Sequence, residues 1–241
     1  MIKNLYKLIR NTLFTPLIWH DYVNFKKLDT SSRFPVNLKD FYPQPFDKTQ
    51  LTGFDRHYVY HTAWAARCVK KISPQKHIDI ASSLYFSGLV SAFVPVDFYD
   101  YRPADLNLSG LTSKHADLTK LPFADGSISS LSCMHTVEHI GLGRYGDPLD
   151  PDGDMKAISE LKRVIAPGGN LLFVVPIGNK AKIMFNAHRI YTIRMIQELF
   201  TDFTLKEFAL IPERHGDMQI NPDIAEVHLG NYDCGCWWFI K

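Results

Sequence analysis

Hydrophobic positions change their period several times along this chain, and each change marks an element. Tyr58, His61, Ala65, Cys68 and Val69 recur at helical spacing within 54–71, and Pro74 stops that helix. Residues 77–81, HIDIA, form a short apolar strand, and SSLYFSGLVSAF then starts a helix. FVPVDFYD (93–100) reads as a second strand and 114–116 as a weak third. SISSLSCMH (127–135) is a fourth, opened by the turn pair Asp125-Gly126. An amphipathic helix is predicted over 154–166, Pro167-Gly168-Gly169 ends it, and NLLFVVP (170–176) is a strongly apolar strand. ELFTDF, TLKEFALI and DCGCWWFI complete a helix and two more strands. Residues 1–50 lack this order and read as an N-terminal extension before a domain over 51–241.

Strands alternating with helices predict an α/β fold with a doubly wound, mostly parallel sheet. No convincing helix separates the last two strands, so they fit an antiparallel finish at one sheet edge. The bulk numbers agree with one main domain: 241 residues, 46% hydrophobic and a net charge of +2. So balanced a charge gives no field that favours nucleic acid. Four cysteines, at 68, 133, 234 and 236, are too few and too scattered for a secreted disulfide framework and read as reduced thiols in a cytoplasmic protein. The segment MIKNLYKLIRNTLFTPLIW is basic and amphipathic. Arg10 and Asn11 interrupt its apolar part, which argues against a cleaved signal. It reads either as a helix packing on its own domain or as a peripheral contact with the inner face of the membrane.

In doubly wound sheets the ligand sits beyond the carboxyl ends of the strands. Asp79, Ala81, Ser82 and Ser83 follow strand one, where small residues let backbone approach a ligand. Asp100, with Tyr101 beside it, ends strand two and suits the hydroxyls of a ribose. Asp117 and Leu118 follow strand three and suit an adenine amine and ring. Taken singly, each aspartate also reads as a helix cap or turn residue.

LPFADGSISSLSCMHTVEHI followed by ELKRVIAPGGNLLFVVP resembles the S-adenosylmethionine-dependent class I methyltransferases, in order and spacing over about 76–176. The resemblance implies a Rossmann-like sheet of seven strands with an antiparallel edge strand, and S-adenosyl-L-methionine as cofactor. Asp79 and Ala81–Ser83 then correspond to the methionine-proximal loop, Asp100 to the ribose ligand and Asp117 to the adenine ligand. HTVEHIGLGRYGDPLDPDGD and FNAHRIY are similar to an uncharacterised bacterial methyltransferase-like family often linked to capsule or lipopolysaccharide clusters. That implies O-methylation of a sugar or glycan precursor. The sequence departs from the family at its first loop, D-x-G-x-G-x-G, where Ala81, Ser83 and Tyr85 replace the three glycines. The replacement suits a member that lost or repurposed cofactor binding.

His135, Glu138 and His139 match the H-x-x-E-H pattern of inverted zincins, so a metal-dependent glycan enzyme is the other alternative. That pattern needs a regular helix, whereas His135 ends a strand and Gly141 and Gly143 follow within a turn. The main reading therefore assigns no metal ligand. It takes His139, His135 and Glu138 as base candidates for removing a hydroxyl proton, with His139 first. In methyltransferases an E-H pair at this place packs beside the methionine, so His135 also counts as a cofactor contact. Asp150, Asp152 and Asp154 recur at every second position but lack the glutamate of a calcium loop, and read as a loop ending in a helix cap. Arg144, Tyr145, Asp147, Asn186, His188 and Arg189 are the acceptor-binding candidates, since an arginine grips phosphate or carboxylate in bidentate fashion. Arg56, His57, Tyr58 and His61 lie on the helix before strand one, and Cys234 and Cys236 share one face of the last strand.

Overall fold

A computed structural model describes residues 16, 18–31 and 33–241. The amphipathic N-terminal segment read above lies almost wholly outside the described residues. Contacts divide the chain into two compact units, Met1–Phe54 and Asp55–Lys241. In the first unit, residues 18–28 are helical and no described residue is buried. Its order comes from rings: Trp19, Tyr22 and Phe41 meet pairwise at centroid distances of 5.1 to 5.7 Å. Among the described residues no helix is long and apolar enough to cross a membrane.

The second unit is a three-layer α/β/α arrangement around one mixed sheet. Its strands are β1 (His77–Ile80), β2 (Val96–Asp100), β3 (Leu111–His115), β4 (Ile128–Met134), β5 (Ile165–Ile177), β8 (Thr204–Ile211), β9 (Gln219–Ile220) and β10 (Asp233–Ile240). They lie in the order β3-β2-β1-β4-β5-β10-β8-β9. β1 to β5 are parallel, and β10 runs antiparallel between β5 and β8. The short β9 adds an eighth, antiparallel edge strand to the seven expected. β6 (Lys182–Met184) and β7 (His188–Ile190) form a separate hairpin. FNAHRIYT thus enters a hairpin turn and its return strand.

Both faces of the sheet are apolar, as a parallel sheet between helices requires. Leu171, Phe173 and Val175 of β5 face one core, and Leu172 and Val174 the other. The first core includes α3 (Gly153–Val164) and α4 (Ile193–Leu199); the second includes α1 (Arg56–Ile72) and α2 (Leu84–Val90). Pro167-Gly168-Gly169 lies in β5, where pairing with β4 jumps from Ile128↔Ile165 to Ser130↔Asn170.

α1 starts at Asp55, whose side chain accepts from the Tyr58 amide at 3.1 Å, and ends at Ser73 in a left-handed turn before Pro74. It buries His57, His61, Trp64, Ala65, Cys68 and Val69, a stripe at i, i+4, i+7, i+8 and onward. The buried stripe begins at His57, which leaves Tyr58 on its flank, 44% exposed.

Candidate functional site

Strand order reverses between β1 and β4, the place where open α/β sheets bind ligands. A cavity of about 330 Å³ lies there, beyond the carboxyl ends of β1 to β4. Ala81, Ser82 and Ser83 line it after β1, Asp100 and Tyr101 at the end of β2, Asp117 and Leu118 after β3, and His135 after β4. His139, Tyr145 and Asp147 come from the following loop. Eight of the nine residues predicted to hold a cofactor thus share one cavity wall.

Asp79 is the ninth, and it does not line the cavity. It is fully buried within the sheet, where its carboxylate accepts from the hydroxyls of Ser132 (2.6 Å) and Ser87. All four residues of β1 are buried, so no alternation in the sequence marks which way Asp79 points. Burial pushes its pKa up to about 6, against hydrogen bonds from Ser132, Ser82 and Ser87. It braces the site from below rather than touching a ligand.

The glycine-poor loop is accommodated in an unexpected way. The Tyr85 ring is 86% exposed and leaves the cavity free. Ser82 Oγ accepts from the Met134 amide (3.1 Å), and Thr136 Oγ1 donates to the Ala81 carbonyl (3.0 Å), which stitches the loop to the end of β4. Ala81 itself has φ 52, where a side chain costs about 1–2 kcal/mol. Glycine enlarges the unfolded ensemble by about 0.4–1 kcal/mol. Ala81→Gly is therefore expected to raise stability by roughly 0.5–1 kcal/mol in urea unfolding. A loss of stability would mean that packing of the Ala81 methyl outweighs the backbone.

Asp100 accepts from the Arg102 amide (2.7 Å) and Asp117 from the Thr119 amide (2.8 Å), so each carboxylate is held at its strand end. Of the H-x-x-E-H residues, Glu138 and His139 lie in a single 3-10 turn, Val137–His139, while His135 stands before it at φ 53, and the three side chains diverge. His135 Nδ1 meets Glu138 Oε1 at 2.9 Å, while its Nε2 lies 3.5 Å from Cys234 Sγ. Both of its nitrogens face protein. Burial opposes protonation of His135, but Cys234 and Glu138 outweigh it and bring its pKa to about 10. Burial and Cys236 in turn push the Cys234 thiol well above its ordinary pKa. Glu138 is buried behind this pair and does not line the cavity. Burial, then His135, hold His57 down to about 4, and the same two causes lower His61.

His139 is placed differently. Its Nδ1 donates to the Ala187 carbonyl (2.6 Å), which leaves Nε2 unprotonated, 3.8 Å from Glu138 Oε1. Burial, then Arg144 and His135, lower its pKa against the pull of Glu138, so a neutral imidazole faces the cavity.

Four of the six acceptor-binding candidates stand away from the cavity wall: Arg144, Asn186, His188 and Arg189. Arg144 donates to the Ala187 carbonyl (2.9 Å) and lies over the Tyr145 ring. Asn186 is exposed in the β6–β7 turn, and His188 packs against Tyr232. Arg189 is buried, donating to the carbonyls of Ile140 (2.6 Å) and Pro151 (3.1 Å) and pairing with Asp154 (3.5 Å). Asp147 lines the wall, but its carboxylate closes the glycine loop, accepting from the amides of Gly141 (2.7 Å) and Tyr145 (3.2 Å). Gly141 is required there: at φ 79, a Cβ would come within 2.0 Å of the Asp150 carbonyl oxygen.

Sequence reasoning missed Arg102, whose guanidinium lies 4.7 Å over the Tyr145 ring and joins the end of β2 to the glycine loop. Its place two residues past a strand-end aspartate was the available signal. Met134 and Thr136, at the end of β4, also line the cavity.

A family model described as "Caenorhabditis protein of unknown function, DUF268" matches residues 117–220. No curated protein matches the chain. Among solved structures, the chain resembles the MccD protein, with a TM-score of 0.54 and 10% identity over 76% of this chain and 96% of that one. It also resembles the 1,6-didemethyltoxoflavin-N1-methyltransferase of Burkholderia thailandensis, solved with 1,6-didemethyltoxoflavin and S-adenosylhomocysteine. There the TM-score is 0.53 and the identity 11%, over 75% and 78% of the two chains. The YcgJ protein of Bacillus subtilis matches with a TM-score of 0.50 and 13% identity, over 76% and 98%. At identities this low the likeness shows a shared Rossmann-like fold.

Proposed function

We propose that this chain is an S-adenosylmethionine-dependent methyltransferase whose acceptor is a hydroxyl of a sugar or glycan precursor, in the synthesis of cell-surface polysaccharide. The observation that carries the reading is the pairing of Asp100 and Asp117, on neighbouring strand ends, along one cavity that also contains His139. The residues present fit the cofactor. Asp100 would hold the ribose hydroxyls, Asp117 the adenine amine, Leu118 the ring, and Ala81 to Ser83 the methionine end. The exposed Tyr85 ring leaves room for that end. When bound, the cofactor supplies an electrophilic methyl group on a sulfonium.

The chain's own residues then align, shield and deprotonate the acceptor. Tyr145 and the Gly141–Asp150 loop border the place where an acceptor would sit. The lone pair at His139 Nε2 takes the hydroxyl proton, a role worth about 10²–10⁴-fold in rate. Glu138, 3.8 Å away, stabilises the imidazolium that results.

Calorimetry with S-adenosylhomocysteine tests the cofactor half. Binding is expected, and Asp100→Ala should weaken it about 10–100-fold, the loss of charged hydrogen bonds worth roughly 1.5–3 kcal/mol. Absence of binding at millimolar ligand would point instead to a repurposed fold. Transfer of labelled methyl from S-adenosylmethionine to nucleotide sugars tests the acceptor half, and His139→Ala should abolish it without loss of cofactor binding.

A further inference from the structure

Three histidines and two cysteines meet where α1 packs against β4 and β10. His57 and His61 sit one turn apart on α1, His135 follows β4, and Cys234 and Cys236 share a face of β10 with sulfurs 3.8 Å apart. His61 and His135 each have one nitrogen committed to the protein. His61 Nδ1 donates to the His57 carbonyl (2.6 Å), His135 Nδ1 meets Glu138 (2.9 Å), and the backbone of Tyr232 is within reach of His57. The other nitrogen of His135, Nε2, faces Cys234 Sγ at 3.5 Å. His57 Nε2 and His61 Nε2 are buried and have no hydrogen-bond partner. Buried polar atoms are normally paired, and leaving one bare costs about 1–3 kcal/mol.

We infer that His57, His135 and Cys234 form a buried binding site for a transition-metal cation of intermediate softness, with Zn²⁺ the expected occupant. One ligand atom from each lies within 4.8 Å of the other two. Zn–N bonds of about 2.0–2.1 Å and Zn–S bonds of about 2.3 Å place tetrahedral neighbours about 3.3–3.7 Å apart. The 3.5 Å between His135 Nε2 and Cys234 Sγ already matches, and movement of about an ångström closes the rest. Mixed imidazole and thiolate donors select Zn²⁺ over Mg²⁺ or Ca²⁺. Glu138 behind His135 supplies the carboxylate–histidine support that orients metal-bound imidazoles. His61, its ring 4.9 Å from that of His135, lies beside the three but is not among the ligand atoms within 4.8 Å of one another. The H-x-x-E-H segment thus contributes one ligand, His135, while His139 turns to Ala187. The ion would clip α1 to the sheet.

The test is titration of Co²⁺, a spectroscopic stand-in for Zn²⁺, into the chelator-stripped full chain. One equivalent is expected to bind, with tetrahedral visible bands and a sulfur-to-cobalt charge-transfer band, and Zn²⁺ should displace it. Cys234→Ser should lose the charge-transfer band. His57→Gln should bind at least about tenfold more weakly, whereas Cys68→Ser, buried elsewhere on α1, should titrate like the parent. Folded parent protein that takes up no stoichiometric Co²⁺, or whose cobalt spectrum lacks the thiolate band, overturns the site. So does an unchanged Cys234→Ser titration. If that variant does not fold, the parent spectrum decides alone.

Discussion

Arg189→Met is expected to lower the unfolding free energy by about 3–5 kcal/mol, the penalty for stripping one partner from a buried ion pair. Methionine keeps the apolar stem but leaves Asp154, itself buried, with the Tyr191 hydroxyl (2.9 Å) as its remaining contact and bares the Ile140 and Pro151 carbonyls. Those carbonyls lie at the two ends of the glycine loop, so the cavity wall loosens with the core. S-adenosylhomocysteine binding should weaken in parallel. Arg189→Lys should fall between, because one ammonium cannot reproduce a planar fork reaching two carbonyls and a carboxylate. Urea unfolding reads the outcome. A loss under about 1 kcal/mol would place Arg189 with exposed ion pairs and contradict its role as a latch.

Stability should also fall as pH rises from about 4 to about 7, by roughly 3 kcal/mol, because of Asp79 alone. Its folded pKa of about 6 exceeds the ordinary 3.8, so the folded state holds the proton more tightly. The stabilisation is complete below 3.8 and is lost as pH passes about 6. The gap is worth about 1.4 kcal/mol per pH unit. The groups around it explain the sign. Ser87 and Ser132 donate to the carboxylate, Asp100 repels its charge, and His77, bonded to Ser132, is held neutral by burial. No cation faces it in that set. Asp79→Asn keeps the shape and should flatten this part of the pH profile. Parallel profiles for the two proteins would show that Asp79 does not titrate in this range.

The sheet was readable because its strands are apolar on both faces and its helices are striped. NLLFVVP and the α1 stripe leave little freedom of interpretation. Asp100 and Asp117 were legible from their position after strands. Asp79 was not, since a carboxylate inside a wholly buried strand looks the same in sequence whether it faces a ligand or two serines. Arg189 and Asp147 were read for an acceptor, whereas their side chains hold the glycine loop, Arg189 away from the cavity wall and Asp147 on it: a charged side chain beside a glycine loop can serve the loop itself. The hairpin around Asn186 escaped because Lys182–Met184 is exposed throughout and shows no alternation. The histidine–cysteine cluster was invisible because Cys234 stands 99 residues from His135 and meets it only through the order of the sheet.

That order has a consequence for how the molecule is made. β10 is the last strand of the sheet along the chain, yet it fills the gap between β5 and β8. A nascent polypeptide that has emerged only as far as residue 232 therefore presents two raw, hydrogen-bond-hungry borders where the finished protein has an interior. Chaperone attention during synthesis belongs there, on a seam that closes only when Asp233–Ile240 slots in.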